Sequence, residues 1–180
     1  MTEARVPFAL ATYVQRSTSG RCFICEHLRG NPDYQHDTVA ETATAVAFLN
    51  KYPTLFGYVI VAPKDHREQV TGDFSEDEYI ELQRFVHRVA EAMRRVLAPE
   101  RLYVLSLGSQ AANAHVHWHI AALPPGVPLE QQQYPALMHE NGVVDASRAA
   151  VVDYVAKMRA ELDGRAANGR RRVETDGRLE

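Results

Sequence analysis

Short apolar runs separated by turn-forming residues predict five strands. Two of these runs are rich in Val, Thr and Ala with weak alternation, and a third is a β-branched and aromatic run that Pro63 ends. Composition of this kind is typical of strands, and the third run is typical of a buried one. The five predicted strands cover residues 38–41, 44–50, 58–62, 102–107 and 114–122.

A different spacing predicts one long helix between the third and fourth strands. Apolar residues recur there at intervals of three and four, which places them on one buried face; they are Leu82, Phe85, Val86, Val89, Met93, Val96 and Leu97. Ser75 and Glu78 form a capping-box pattern at the start of this helix, and Pro99 stops it. A second helix is expected to begin near residues 145–147 and to include Leu162.

Strands on both sides of one long helix, with hairpin-length links between several of them, predict an antiparallel α+β domain. We therefore divide the chain into an N-terminal arm (1–20), the α+β domain (21–125), a C-terminal appendage with a helix (126–163) and a tail (164–180). The tail is charged and contains glycine, and we expect it to be disordered.

Composition narrows the classes of function. The chain has 180 residues, 46% of them hydrophobic, and a net charge of −3. This charge gives no sign of a nucleic-acid-binding surface, and no apolar run approaches the roughly 20 residues of a membrane span. We also find no signal peptide, so we expect a cytoplasmic protein in which the two cysteines are thiols or metal ligands rather than a disulfide.

The most informative feature is a run of three alternating histidines, His115, His117 and His119. In an extended chain these imidazoles form a row about 6.5–7 Å apart on one face, while the apolar residues between them face the other way. Folding does not require such a row. It suits either a phosphate site, in which a neutral imidazole attacks phosphorus, or an all-histidine metal site.

Cys22 and Cys25 have the spacing that lets two thiolates reach one metal ion. Two cysteines do not complete a tetrahedral zinc site, and the candidates for the remaining ligands are His27, His36, His66 and His115. The alternatives are a redox pair, for which the chain lacks the alternating strand–helix context, and two buried thiols that bind nothing.

The turn at residues 108–113 precedes the histidine strand. Its backbone N–H groups and short polar side chains are suited to hold phosphate oxygens, and an ordinary hairpin loop is the alternative interpretation. Its polar residues Ser109, Gln110 and Asn113 are candidate nucleotide-binding residues.

The run His115-Val116-His117-Trp118-His119-Ile120 resembles the His-x-His-x-His signature of the histidine-triad (HIT) superfamily of nucleotide hydrolases and transferases. Residues 47–53 and 57–66 are similar to the ribose-contacting strand, the central strand and the Pro-Lys-x-His turn of that family. The Cys-x-x-Cys run from Cys22 to Cys25 is similar to its zinc-bearing branch. The resemblance covers about residues 22–123 and implies a five-stranded antiparallel sheet with one main helix.

The resemblance also implies roles for individual residues. His117 is the nucleophile that takes the nucleotidyl phosphate, His119 is a phosphate-site partner, and Asn50 contacts the ribose. In the zinc-bearing branch four protein residues bind the zinc ion, and the resemblance implies that here they are Cys22, Cys25, His66 and His115. Four protein ligands make such a zinc structural rather than catalytic.

The chain departs from the family pattern in three places. The turn before the triad is shorter and differently ordered, the Pro-Arg that usually follows the triad is absent, and Ser106 lies in the region where many members have Asn. These departures affect the expected substrate rather than the nucleophile. His119 at the third position argues against the hexose-1-phosphate uridylyltransferase branch, which has Gln there.

The resemblance therefore implies hydrolysis or transfer at the α-phosphate of a nucleoside phosphate derivative, either a dinucleoside polyphosphate or a nucleoside phosphoramidate, through a nucleotidyl-histidine intermediate. The alternatives are a dinucleoside tetraphosphate phosphorylase, a nucleotide-binding protein with little catalysis, and a metallohydrolase that uses the three histidines as ligands. The expected partners are a nucleotide substrate and a second copy of the chain in a homodimer.

Overall fold

The computed structural model describes residues 4–176 of the chain, and the side chains of residues 4–164. The elements of its first half are β1 (Arg5–Val6), α1 (Leu10–Ser17), α2 (Phe23–Leu28), β2 (Thr38–Glu41), β3 (Ala45–Leu49), β4 (Val59–Pro63) and α3 (Glu76–Leu97). The second half contains β5 (Arg101–Ser106), β6 (Trp118–Leu123), α4 (Tyr134–Leu137), β7 (Val143–Val144) and α5 (Arg148–Asp176). Short 3-10 helices lie at Pro32–Tyr34, Leu129–Gln131 and His139–Asn141.

Five of the strands form one antiparallel sheet in the order β2-β3-β4-β6-β5. In its centre, His119 lies opposite Ile60 on one side and Leu105 on the other. The predicted α+β fold, with five antiparallel strands and one main helix, is confirmed.

The main core lies between one face of this sheet and the helices α3 and α5. Alternate residues of β3, β4 and β6 point to it, including Ala47, Val61 and Ile120. The apolar face of α3 covers them, as its three- and four-residue spacing predicts. Both hydrogen bonds of the predicted capping box at Ser75 are present, so the start of α3 has its backbone donors satisfied.

The opposite face of the sheet carries a smaller apolar cluster and the functional groups. Ile24 of α2 packs there against Val46, Phe48, Ile60 and Ala62. Because side chains alternate along a strand, every second residue of β3 and β4 faces this cluster rather than the main core. It fixes α2, and with it the Cys22–Cys25 run, against the histidine-bearing part of the sheet.

The C-terminal appendage is joined to the domain through α5. Tyr154 and Met158 enter the main core, and the Tyr154 hydroxyl donates a hydrogen bond of 3.0 Å to the carbonyl of Gly57. Gly57 has a φ of +71°, and a Cβ there would lie 2.8 Å from the Tyr154 ring. Only glycine allows this close approach.

The N-terminal arm contains more regular structure than the sequence predicts. β1 pairs with β7 of the appendage, and α1 lies over the sheet face that carries the histidines, with no buried residue of its own. The arm and the appendage meet where the ring of Phe8 stacks on His139 with a centroid separation of 4.4 Å. The apolar residues Leu10, Tyr13 and Val14 recur along α1 at helical spacing, but none of them is fully buried.

The histidine strand, β6, starts at Trp118, which is later than the sequence pattern predicts. His115 and His117 therefore lie before the strand rather than in it. The neighbouring strand β4 ends at Pro63, which has no N–H for the ladder, and the Val116 N–H donates instead to the carbonyl of Arg67. The side chains still alternate, since Val116, Trp118 and Ile120 all enter the main core.

The C-terminal helix continues further than predicted. A disordered tail was expected from Gly164, whereas α5 extends to Asp176; alanine and arginine, which are frequent between these residues, favour helix. The last four residues of the predicted tail lie outside the described residues. Within residues 4–176, no helix is both long and apolar enough to cross a membrane.

Candidate functional site

Two cysteines and two histidines form a compact cluster at one end of the histidine run. The ligand atoms of Cys22, Cys25, His66 and His115 all lie within 4.8 Å of one another. Cys22 Sγ lies 3.3 Å from His115 Nδ1, and Cys25 Sγ lies 3.3 Å from His66 Nδ1 and 3.6 Å from His115 Nδ1. In a tetrahedral zinc site, bond lengths of about 2.3 Å to sulfur and 2.0–2.1 Å to nitrogen place sulfur and nitrogen about 3.5 Å apart. The donor spacing therefore fits zinc.

Both histidines of this cluster present the nitrogen that a metal ion requires. His115 Nε2 lies 3.0 Å from the carbonyl oxygen of Pro63, and His66 Nε2 lies 3.1 Å from a carboxylate oxygen of Glu68. Each Nε2–H therefore donates to an oxygen, and each Nδ1 keeps its lone pair for a ligand. Hydrogen bonds of this kind orient the histidine ligands of metal sites.

The cluster is electrostatically unfavourable for free thiolates. Burial, together with the hydrogen bond and charge of Cys22, raises the pKa of Cys25 to about 11. Burial and the nearby His66 lower the pKa of His115 to about 4. A bound cation would deprotonate the thiols and use the neutral imidazoles as they are.

The other two ligand candidates from the sequence are not in this cluster. His27 Nε2 lies 3.2 Å from Thr38 Oγ1, and His36 Nδ1 lies 3.1 Å from the carbonyl of Leu49. Both rings pack near Phe48. The cluster therefore contains the four residues that the resemblance implied.

His117 is only 4% exposed and is held in one orientation by its backbone neighbour. Its Nδ1 lies 2.7 Å from the carbonyl oxygen of His115, to which the Nδ1–H donates. The lone pair is thus on Nε2, and the ring borders an open cleft. Burial lowers the pKa of His117 below its ordinary value, so the ring is neutral at pH 7 and able to act as a nucleophile.

His119 lies beside this ring, with a centroid separation of 4.7 Å. That is closer than the spacing expected for a regular extended strand. Burial and the neighbouring His117 lower the pKa of His119 to about 3. Its buried Nδ1 has no hydrogen-bond partner among the residues that the structure describes, which leaves a polar atom that a ligand can satisfy.

The cleft in front of these two rings has a volume of about 100 Å³. Asn50 and Asn113 line it. The Oδ1 atom of Asn50 accepts a hydrogen bond from the Tyr52 N–H at 3.0 Å, which directs the Asn50 side chain, and the Asn113 Nδ2 donates to the Tyr13 hydroxyl at 2.7 Å.

The other two polar residues of the turn do not line the cleft. Ser109 and Gln110 are exposed, and the Ser109 hydroxyl accepts a hydrogen bond from the Ala111 N–H within the turn itself. The turn nevertheless begins close to the nucleophile, because a Cβ on Gly108 would lie 4.0 Å from the His117 ring. A role for Ser109 and Gln110 in binding nucleotide stays a prediction.

Sequence reasoning missed most of the outer wall of the cleft. That wall includes Tyr13, Arg16, Arg21, Lys51 and His139. His139 is half-buried, and its Nε2 lies 3.2 Å from the carbonyl oxygen of Tyr52. Of these residues only Lys51 lies in a segment that resembles the family, and the folding of the arm and appendage over the domain brings the others to the cleft.

Comparison with known proteins identifies relatives with the same architecture. The HIT domain model matches residues 31–125. The chain is 29% identical over 132 residues to adenosine 5'-monophosphoramidase hnt1 of Schizosaccharomyces pombe, an alignment that covers 66% of this chain and 94% of that protein.

Solved structures agree with this match. A hypothetical histidine triad nucleotide-binding protein from Sulfolobus tokodaii has a TM-score of 0.63 at 21% identity, and the alignment covers 79% of this chain and 93% of that one. A zinc-bound histidine triad family protein from Mycobacterium smegmatis also has a TM-score of 0.63, at 19% identity, with 82% and 96% covered. Since the matched domain spans more than half of its residues, the chain belongs to the HIT domain family.

Proposed function

We propose that this protein is a nucleotide hydrolase or transferase that acts at the α-phosphate of a nucleoside phosphate derivative through a nucleotidyl-histidine intermediate. The observation that carries the proposal is the orientation of His117, whose Nδ1–H is 2.7 Å from the His115 carbonyl and whose Nε2 is left for the cleft. The S. pombe relative, an adenosine 5'-monophosphoramidase, supports the reaction class.

The reaction proceeds in two displacements. The lone pair of His117 Nε2 attacks the α-phosphorus, the bond from phosphorus to the leaving group breaks, and the leaving group departs with that electron pair and takes up a proton. The imidazole ring is now positively charged, and the His115 carbonyl oxygen at its Nδ1–H stabilises this charge. Water then attacks phosphorus, the P–N bond breaks, the water's proton is released, and the nucleotide leaves a neutral His117.

Other residues hold the substrate in this scheme. His119, beside His117, contacts the phosphate, and Asn50 contacts the ribose. The backbone donors of the turn at residues 108–113 and the side chain of Asn113 stabilise phosphate oxygens as negative charge develops. Each of these groups lies at or next to the cleft that His117 faces.

Zinc is proposed as a structural cofactor held by Cys22, Cys25, His66 and His115. Four protein ligands leave no open position on the metal. A zinc-bound family member from M. smegmatis supports this assignment. The metal would tie α2 to the segment before β6 and so fix the backbone carbonyl that orients His117.

Product analysis tests the proposal and separates its alternatives. The purified protein is incubated with adenosine 5'-phosphoramidate and with diadenosine polyphosphates, each with and without inorganic phosphate. We expect AMP from both substrate types. Formation of a nucleoside diphosphate with consumption of phosphate would instead identify a phosphorylase. Equal rates for the wild-type protein and His117→Ala across the panel would overturn the enzyme assignment.

We further propose a homodimer in the cytoplasm. β5 is an edge strand of the sheet, and Val104 on β5 and Leu107 just after it are 48% and 61% exposed. An exposed apolar edge favours pairing with a second copy. Two free cysteines are consistent with a reducing compartment. Light scattering of the purified protein tests the dimer.

A further inference from the structure

Three cationic side chains line the cleft next to His117, and two of them lie outside the segments that resemble the family. Arg16 belongs to α1, Arg21 precedes α2, and Lys51 follows β3. Two of them come from the part of the chain before residue 31, where the match to the family model begins. Two of the three positive charges on this wall therefore come from this chain's N-terminal segment, and the third comes from Lys51 of the matched domain.

Arg16 is fixed in place without using a carboxylate. Its guanidinium group lies 4.2 Å from the centre of the Tyr34 ring and donates a hydrogen bond to the backbone carbonyl of Asp33. Both contacts leave the formal charge unpaired. A guanidinium with further N–H donors free is suited to hold phosphate oxygens.

Lys51 lies near Arg16 and is repelled by it. Burial lowers the pKa of Lys51 and the charge of Arg16 lowers it further, whereas the carboxylate of Asp33 raises it. The more exposed Arg21 approaches Glu26 only at 3.9 Å. Arg16 and Lys51 carry like charges at the mouth of the cleft, and an anion bound between them would reduce their repulsion.

We propose that Arg16 and Lys51, assisted by Arg21, form a subsite for the leaving group, and that this leaving group is a chain of further phosphates rather than a neutral amine. The inference rests on the proposed function, because it assigns the group that departs when His117 attacks the α-phosphorus. It selects a substrate with a polyphosphate chain over a phosphoramidate.

The cleft has room for such a chain to continue. Asn50 and Lys51 also line a second cavity of about 360 Å³, which extends toward Ala146 and Arg148 of the appendage. Asp37 and Asp145 also line this cavity, and Arg148 is paired with Asp37, so the cavity offers volume beside Lys51 rather than further free positive charge. An amine leaving group makes no use of either feature.

The first experiment compares two substrates that share adenosine and the α-phosphate. We measure kcat/KM for diadenosine tetraphosphate and for adenosine 5'-phosphoramidate with wild-type protein and the double variant Arg16→Gln/Lys51→Gln. The ratio of the two values is expected to fall by at least tenfold in the variant. The matched control Arg94→Gln/Lys157→Gln, which removes one arginine and one lysine from exposed sites on α3 and α5, is expected to leave the ratio unchanged.

The second experiment measures binding without catalysis. Calorimetry with inorganic tripolyphosphate is expected to show tighter binding than with monophosphate, and at least tenfold weaker binding in the double variant. Equal affinity of the wild-type protein for the two anions, or an unchanged substrate ratio in the variant, would overturn the subsite. If the proposed function itself is wrong, the result differs. In that case neither nucleotide substrate forms a covalent adduct with His117, regardless of how tightly the protein binds tripolyphosphate.

Discussion

His115 and His117 lie two residues apart on the same face of the chain, but they present opposite ring nitrogens. His115 donates its Nε2–H to the carbonyl of Pro63 and turns Nδ1 to the two cysteines. His117 donates its Nδ1–H to the carbonyl of His115 and leaves Nε2 for the cleft. A different backbone carbonyl fixes each tautomer.

In the proposed function, this difference gives one imidazole to the metal cluster and the other to phosphate chemistry. The residue type and the sheet face are the same, so the tautomer and the neighbouring groups decide the role. The three histidines therefore do not form one metal site. Of the three, only His115 belongs to the described group of potential metal ligands.

The largest expected effect comes from His117, on the phosphate side of this comparison. In His117→Asn the nucleophilic nitrogen is lost, and we expect kcat/KM to fall by about 10³-fold or more. Steady-state kinetics with a dinucleoside polyphosphate measure this. His87→Asn, on the exposed face of α3, is the control and should retain wild-type kinetics. A loss below tenfold in His117→Asn would contradict the role of His117.

A smaller effect is expected on the metal side. Cys25→Ser removes one ligand, so we expect the zinc content to fall from one ion per chain and the free energy of unfolding to fall by about 3 kcal/mol, or about 6–12 °C in Tm. Turnover of the protein that remains folded should fall far less than in His117→Asn.

The control for this prediction is His27→Asn, because His27 lies outside the cluster and contacts Thr38 instead. Its zinc content should stay at one ion per chain. If zinc removal abolishes turnover with no loss of stability, the metal takes part in the reaction and the two sites are not separate.

Variants of Asn50 test whether this cleft residue contacts the ribose. Loss of one neutral hydrogen bond to the ribose in Asn50→Ala costs about 1 kcal/mol, and we expect KM to rise about fivefold with little change in kcat. Asn50→Asp retains the acceptor for the Tyr52 N–H but loses the side-chain donor. A wild-type KM in Asn50→Asp would show that Asn50 only positions its loop.

The smallest expected effect concerns pH. Burial disfavours the charged imidazolium and lowers the pKa of His117, so the ring stays neutral and nucleophilic below pH 6.5. The rate of nucleotidylation should change less than about twofold between pH 7.5 and 6, and should fall only as pH drops through the lowered pKa. An ordinary histidine with a pKa of about 6.5 predicts about a fourfold loss over that interval.

The sequence predicted those parts of the molecule that short-range patterns encode. The sheet and α3 follow from periodicity and a capping box, and the resemblance to a family implied the four residues of the metal cluster. The late start of β6 was not predictable, because it depends on where Pro63 falls opposite the histidine run.

The residues that form the outer wall of the cleft could not be predicted from the sequence either. α1 is amphipathic but has no buried residue, so its sequence alone does not show where it packs. His139 reaches the cleft because β7 pairs with β1 and Phe8 stacks on its ring. Contacts between residues about 130 positions apart leave no local signal.

The most direct test of the account is to trap the covalent intermediate. Wild-type protein is mixed with a dinucleoside polyphosphate, quenched in alkali within milliseconds to seconds, and analysed by intact mass and peptide mapping. We predict an added nucleotidyl group on the peptide that contains His117, stable in alkali and released by acid. Full turnover with no adduct at any quench time, or an adduct on a different residue, would contradict the central claim.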